Sequence, residues 1–220
     1  MAIIARTLSE QAYNLIRDRI VCGDLPCGEA IRQDALAKTL GVSKIPLREA
    51  FARLERDGLL TSITNRGFFV PVLSEDEAEE IYALRLKLEP SAVGMAAKKA
   101  TAADRQTAKD ALKALNELST PDKAAAGRQH RAFHMSLVHP IRHPITIQII
   151  ERINVVAERY VIKHLEPSGR KNRAKKEHSA MLEAWLEGKT RQVESMMHAH
   201  IQSTLDDLRR QFELEGKGPA

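Results

Sequence analysis

All eight histidines of this 220-residue chain fall between positions 130 and 200. His130 and His134 stand in the run His-Arg-Ala-Phe-His, one helical turn apart and so on one helix face. His178 follows Glu177 on a second predicted helix, and His200 lies on the last one. His198 faces away from His200, because two residues turn a helix about halfway round. His130, His134, His178 and His200 could therefore converge from three helices in a bundle core. Imidazoles meeting there would suit Zn, Ni or another first-row divalent metal. A single pair spaced by four is also common as surface chemistry or as a satisfied polar group in a core. Spacing alone leaves both readings open.

A second set of residues could meet nucleic acid. Two short helices flank Gly41, and the second opens with Ser43, Lys44, Pro46 and Arg48. The N-terminal end of such a helix is the part that meets base edges and phosphates in a major groove. Lys44 and Arg48 are four apart and share a face. Arginine can pair bidentately with guanine, while Lys or Ser can anchor phosphate. Asn65, Arg66 and Gly67 form a tip that could approach the backbone or minor groove closely. Isolated charges of this kind are often only a solvated helix face. The helix-turn-helix-hairpin context favours the DNA reading.

The elements that must position these residues follow from the pattern. Thr7 with Glu10 forms a capping box, and Ala12, Leu15, Ile16 and Ile20 follow helical spacing, which predicts a helix over about 9–21. Gly23-Asp24 ends it. A helix over about 32–39 buries Leu36, Ala37 and Leu40 and stops at Gly41. Ser43 caps a third, whose apolar face is Leu47, Ala50, Phe51 and Leu54. The runs 59–63 and 68–70 around Asn65-Arg66-Gly67 predict a hairpin. Three helices and a hairpin make a winged helix-turn-helix over 1–73. A second capping box at Ser74–Glu77 opens an all-helical region over 74–215. Its helices are expected near 75–99, 102–118, 121–139, 144–165, 170–187 and 190–213, with Pro121 at a first helical position. The tail 216–220 is expected to be disordered. The fold class is mostly α.

Composition sets outer bounds. Aromatics are only 4% of the chain, with Ala and Leu frequent, which favours helix. The net charge of +5 permits nucleic-acid binding without demanding it. Residues 1–73 carry a net +2 and the remainder +3, so charge alone does not locate a DNA surface. No apolar run reaches the roughly 18 residues of a membrane span, and the N-terminus lacks a signal pattern, so a cytoplasmic location is expected. Cys22 and Cys27 lack the neighbours a zinc site needs and read as thiols in a reducing compartment.

The first 73 residues resemble the GntR family of regulators. The resemblance is carried by Gly23-x-Leu25, Gly28-Glu29-x-Ile31, Leu36-Ala37, Leu40-Gly41-Val42-Ser43, Pro46-Leu47-Arg48-Glu49-Ala50, Arg53-Leu54, Gly58-Leu59 and Asn65-Arg66-Gly67. It implies that Lys44, Arg48 and the wing tip at Gly67 contact an operator. Lys44 stands where Arg is usual, and Asp34 where a basic residue often occurs, with Arg32 as a substitute contact. Residues 74–215 resemble the FCD effector domain of the FadR-like branch, through Leu84-Arg85-x-x-Leu88-Glu89, Phe133-His134, Glu177-His178-x-x-Met181-Leu182-x-Ala184 and His200-Ile201. In metal-containing members the ligands are an Asp, one turn before the first His, and three His. Here His130 takes the Asp position, and His134, His178 and His200 match. His139, His143 and His164 read as surface or outer groups. Arg85 either faces the same cavity, where it would suit a small carboxylate effector, or pairs with Glu89 one turn along.

The expectation is a homodimeric, ligand-responsive repressor of operator DNA, holding Zn or Ni and a small organic acid, and not an enzyme. Two other readings compete. A metal-dependent hydrolase on a helical bundle lacks a nucleophile motif and leaves the winged helix unexplained. An architectural DNA binder would carry an inert helical domain.

Overall fold

The computed structural model describes residues 7–118, 122–165 and 169–216. The chain divides into two compact units, 1–72 and 73–220. The division falls just before Leu73 because that side chain packs on the core of the second unit.

The first unit contains helices α1 (Leu8–Cys22), α2 (Gln33–Leu40) and α3 (Lys44–Arg56), followed by strands β1 (Thr61–Ile63) and β2 (Gly67–Phe69). The Thr7 hydroxyl accepts the Glu10 N–H at 3.2 Å and so starts α1. Ala12, Tyr13, Ile16 and Ile20 form its buried stripe, while Leu15, expected inside, is half exposed. Gly41 ends α2 in the left-handed region, at φ 64°, which fixes the turn into α3. Leu47, Ala50, Phe51 and Leu54 of α3 are buried, as their spacing predicts. The strands pair antiparallel with Thr61 opposite Phe69 and Ile63 opposite Gly67. Asn65, at φ 61°, supplies the left-handed turn residue.

One feature of the wing is not visible in the periodicity. The segment after α1 adds to it: Gly28 N–H donates to Val70 O at 2.9 Å and Ile31 N–H to Phe68 O at 2.8 Å. Phe68 then packs on Phe51, ring centroids 4.9 Å apart, which ties the wing to α3.

The second unit holds α4 (Glu75–Lys99), α5 (Ala102–Asn116), α6 (Lys123–Val138), a 3₁₀ turn (His139–Ile141), α7 (Pro144–Leu165), α8 (Arg170–Leu186) and α9 (Thr190–Gly216). Side-chain caps start three of these helices. Ser74 caps α4, Thr101 and Asp104 form a reciprocal capping box on α5, and Asp122 caps α6. Helix α6 therefore begins at Lys123 with an Asp cap, and the expected start at Thr120-Pro121 lies outside the described residues. Pro167 and Ser168 also lie outside them, as does the tail beyond Gly216, which itself closes α9. Helices α4 and α9 make the most extensive contact of the unit. Gly94 permits it, because a Cβ there would overlap the Glu194 side chain. The shared core includes Tyr82, Phe133, Tyr160, Met181, Trp185 and Met197. Among the described residues no helix is long and apolar enough to cross a membrane.

Phe51 is fully buried in the first unit, whereas the only tryptophan, Trp185, is fully buried in the second. Phe51→Ala is expected to cost about 3–5 kcal/mol. Amide exchange across residues 8–70 should accelerate while the urea midpoint of Trp185 fluorescence stays in place. Equal acceleration through both units would contradict two separate cores.

Candidate functional site: a buried histidine cluster and a recognition helix

Helix α6 presents His130 and His134 from one face, α8 presents His178, and α9 presents His200. Their exposures are 7%, 0%, 2% and 6%. One ligand nitrogen from each lies within 4.8 Å of the others. His178 Nε2 and His200 Nε2 approach to 3.3 Å. The opposite nitrogen of His200, Nδ1, is 2.6 Å from Glu177 Oε2. An ionised carboxylate only accepts, so Nδ1 carries the proton and the Nε2 lone pair is turned into the cluster. His134 is the more telling residue. Neither of its nitrogens has a hydrogen-bond partner although the side chain is sealed from solvent. Its Nδ1 is 3.6 Å from Glu89 Oε2, too long for a hydrogen bond.

Burial pushes His130 and His178 well below the ordinary histidine range, and the neighbouring imidazoles push the same way. Burial also lowers His134, to about 4, against the pull of Glu89. These three rings are therefore neutral at pH 7, which is the metal-binding form of imidazole. Four nitrogens at zinc bond lengths of roughly 2.0–2.1 Å would lie about 3.3 Å apart around a tetrahedron. The His178–His200 edge already has that length. The orphaned nitrogens of His134, the neutral rings and the Glu177 buttress together fit a borderline divalent cation.

Arg85 and Glu89, one turn apart on α4, are 2% and 1% exposed. Arg85 Nε donates to Glu89 Oε1 at 2.6 Å, and Asn154 Nδ2 donates to the same oxygen at 2.9 Å. Burial alone would raise Glu89, but the Arg85 charge overcomes it and holds the carboxylate near 2. The pairing with Glu89 is thus realised. Arg85 also lines a cavity of ≈ 10 Å³ with His130, His164, His200 and Thr204, room for about one water.

Of the two readings open for His164, a surface group or an outer group of the cluster, burial excludes the first: it is 4% exposed and lines that cavity beside His130 and His200. Its Nδ1 has no hydrogen bond, with Asp207 Oδ2 at 3.7 Å. Helical spacing carries the signal, since Asn154, Ala157, Val161 and His164 form one buried stripe of α7. His139 and His143 are exposed, as expected. The basic run beginning at Arg170 is more than a solvated face. Arg170 donates to His164 O at 2.9 Å, and Arg173 pairs with the buried carboxylate of Asp207, tying α8 to α9.

In the first unit Arg32, Ser43, Lys44, Arg48, Asn65 and Arg66 are exposed, while Pro46 and Gly67 are half-buried. Ser43 occupies the cap position of α3, but its hydroxyl makes no capping bond. Side-chain acceptors therefore leave the first turn of α3 open, which suits a phosphate. Lys44 Nζ is held 2.7 Å from Asp34 Oδ1. The Arg53 guanidinium lies 4.0 Å from the centre of the Tyr13 ring.

A winged helix joined to a helical bundle with a buried polyhistidine site defines a class of two-domain regulator. Residues 8–70 match the family model described as bacterial regulatory proteins, gntR family, and residues 80–203 match the FCD domain. The chain belongs to the GntR family of DNA-binding transcription regulators, in the branch with an FCD effector domain. It is 29% identical over 180 residues to the Nta operon transcriptional regulator of Aminobacter aminovorans, covering 82% of this chain and 75% of that one. It is 28% identical over 160 residues to the HTH-type transcriptional repressor GlaR of Escherichia coli, covering 69% and 71%. The fold is similar to that of E. coli McbR/YncC, with a TM-score of 0.80 at 22% identity over 94% of this chain and all (100%) of that one. These relatives are regulators, and the chain is a regulator rather than an enzyme.

The Arg85–Glu89 pair gives a direct test. Arg85→Met strands a buried carboxylate and should destabilise the protein by about 3–5 kcal/mol. Adding Glu89→Leu should recover most of that loss in urea denaturation. A double variant no more stable than the single one would show that the pair is not the source of the cost.

Proposed function

We propose that the chain is a cytoplasmic, homodimeric repressor whose hold on operator DNA is released by a small carboxylate metabolite bound beside a metal. The observation that carries this reading is the set of four buried imidazoles, including one with two unpartnered nitrogens. His130, His134, His178 and His200 would hold Zn or Ni. Such a cation would supply a positive centre, in a nearly closed interior, that an organic acid can ligate.

The chain's own residues divide the remaining work. Glu177 fixes the tautomer and orientation of His200. Arg85, steadied by Glu89 and Asn154, places guanidinium density at the cavity wall for the effector carboxylate. Because the cavity has room for about one water, a metabolite must expand it. Binding would therefore favour a different packing of α7, α8 and α9. An effector can shift the regulator only by binding one packing better than the other. Arg32, Ser43, Lys44, Pro46, Arg48, Asn65, Arg66 and Gly67 would contact the operator. A dimer would place two recognition helices about one DNA turn apart on a palindromic site. The naming of the GlaR relative as a repressor supports the sign of the response.

Untagged protein purified without chelator should carry close to one metal per chain by elemental analysis. A variant with all four histidines replaced by Ala should carry none. Metal-free wild type that stays empty after incubation with Zn and Ni would overturn the metal site and leave the DNA reading standing. In gel-shift titrations, Arg48→Ala should weaken operator binding by roughly 1–3 kcal/mol. Unchanged affinity would remove Arg48 from the interface.

A further inference from the structure

The second residue of α3, Ile45, is 72% exposed. Helix α3 buries Leu47, Ala50, Phe51 and Leu54, and Ile45 lies off that stripe. It shares the outward face with Arg48, three residues on. Single exposed apolar residues are ordinary on protein surfaces. The position makes this one different, because it stands at the N-terminal end of the recognition helix, among side chains suited to DNA. Its neighbour Lys44 is held against Asp34 at 2.7 Å. That contact offsets the charge of Lys44 with a carboxylate. The tip of the helix thus presents an uncharged aliphatic group between the exposed Lys44–Asp34 pair and Arg48.

In the major groove only thymine offers an aliphatic surface, its C5 methyl. A branched aliphatic side chain there gains by covering that methyl and loses against a cytosine, whose edge offers an amino donor it cannot satisfy. We propose that Ile45 is a base-reading residue that recognises a thymine methyl in each operator half-site. The inference rests on the DNA-contact reading of α3 given above. It assigns Ile45 a sequence-specific role that phosphate contacts by Lys or Arg cannot supply.

The test uses the full-length protein and an operator selected by the wild type from random duplexes. Each symmetric pair of thymines is replaced in turn by deoxyuridine, which removes one methyl per site and leaves base pairing intact. At one pair the wild type should bind roughly three- to tenfold more weakly per half-site, the scale of one buried methyl. Ile45→Ala should bind the thymine and uracil operators alike, and Ile45→Val should keep most of the wild-type sensitivity. Ile45 is exposed, so these variants leave the core of the first unit untouched. Indifference of the wild type to every replacement would overturn the role of Ile45 and leave operator binding intact. Full methyl sensitivity in Ile45→Ala would do the same. Failure to select any operator would overturn the DNA-contact reading itself, and this inference with it.

Discussion

Burying four imidazoles side by side is the constraint on which the second unit depends. Each ring brings two nitrogens that water would otherwise satisfy, and a sealed, unpartnered polar group costs about 1–3 kcal/mol. His200 meets that demand through Glu177, and His178 and His200 face each other. Neither nitrogen of His134 has a hydrogen-bond partner. A ligand held by the four rings would complete that arrangement, and on the function proposed above the stability of the bundle would rise with its binding.

The surrounding helices are organised to hold that centre. Helix α4 brings Arg85 and Glu89 beneath His134, and Asn154 from α7 shares the Glu89 oxygen. Helix α9 carries both His200 and Asp207, and Asp207 receives Arg173 from α8. Arg173 also stands 3.5 Å from Glu177, the carboxylate behind His200. A chain of polar contacts therefore runs from His200 through Glu177 and Arg173 to Asp207 and ties α8 to α9. The four imidazoles bring no negative charge of their own, so a dication held by them would keep its full charge for an anionic ligand.

Much of this was legible in the residues. The winged helix follows from local signals: the Thr7 cap, Gly41 between two short apolar faces, and Asn65-Arg66-Gly67 between two strands. The histidines that meet are those whose spacing places them on inward helix faces. What escaped depends on contacts between elements. The pairing of Gly28 and Ile31 with the wing is a backbone event with no side-chain pattern. Ser43 sits at the cap position without forming the capping bond, so residue type alone overstates its local role. His164 was readable as part of the α7 stripe, but its proximity to His200 depends on how α7 packs against α9. The choice of Arg85 between Glu89 and the cavity proved to be no choice, because a guanidinium has donors for one while lining the other.

On the function proposed above, His130, His134, His178 and His200 together hold one ion. X-ray absorption at the metal edge of untagged protein, as purified, tests it most directly. A zinc ion held by these rings would show a first shell of nitrogen and oxygen at roughly 2.0–2.1 Å, with the outer scattering of several imidazole rings. That scattering should be lost in the variant lacking all four histidines. A shell without imidazole scattering, or one unchanged in that variant, would place the metal elsewhere and contradict the account.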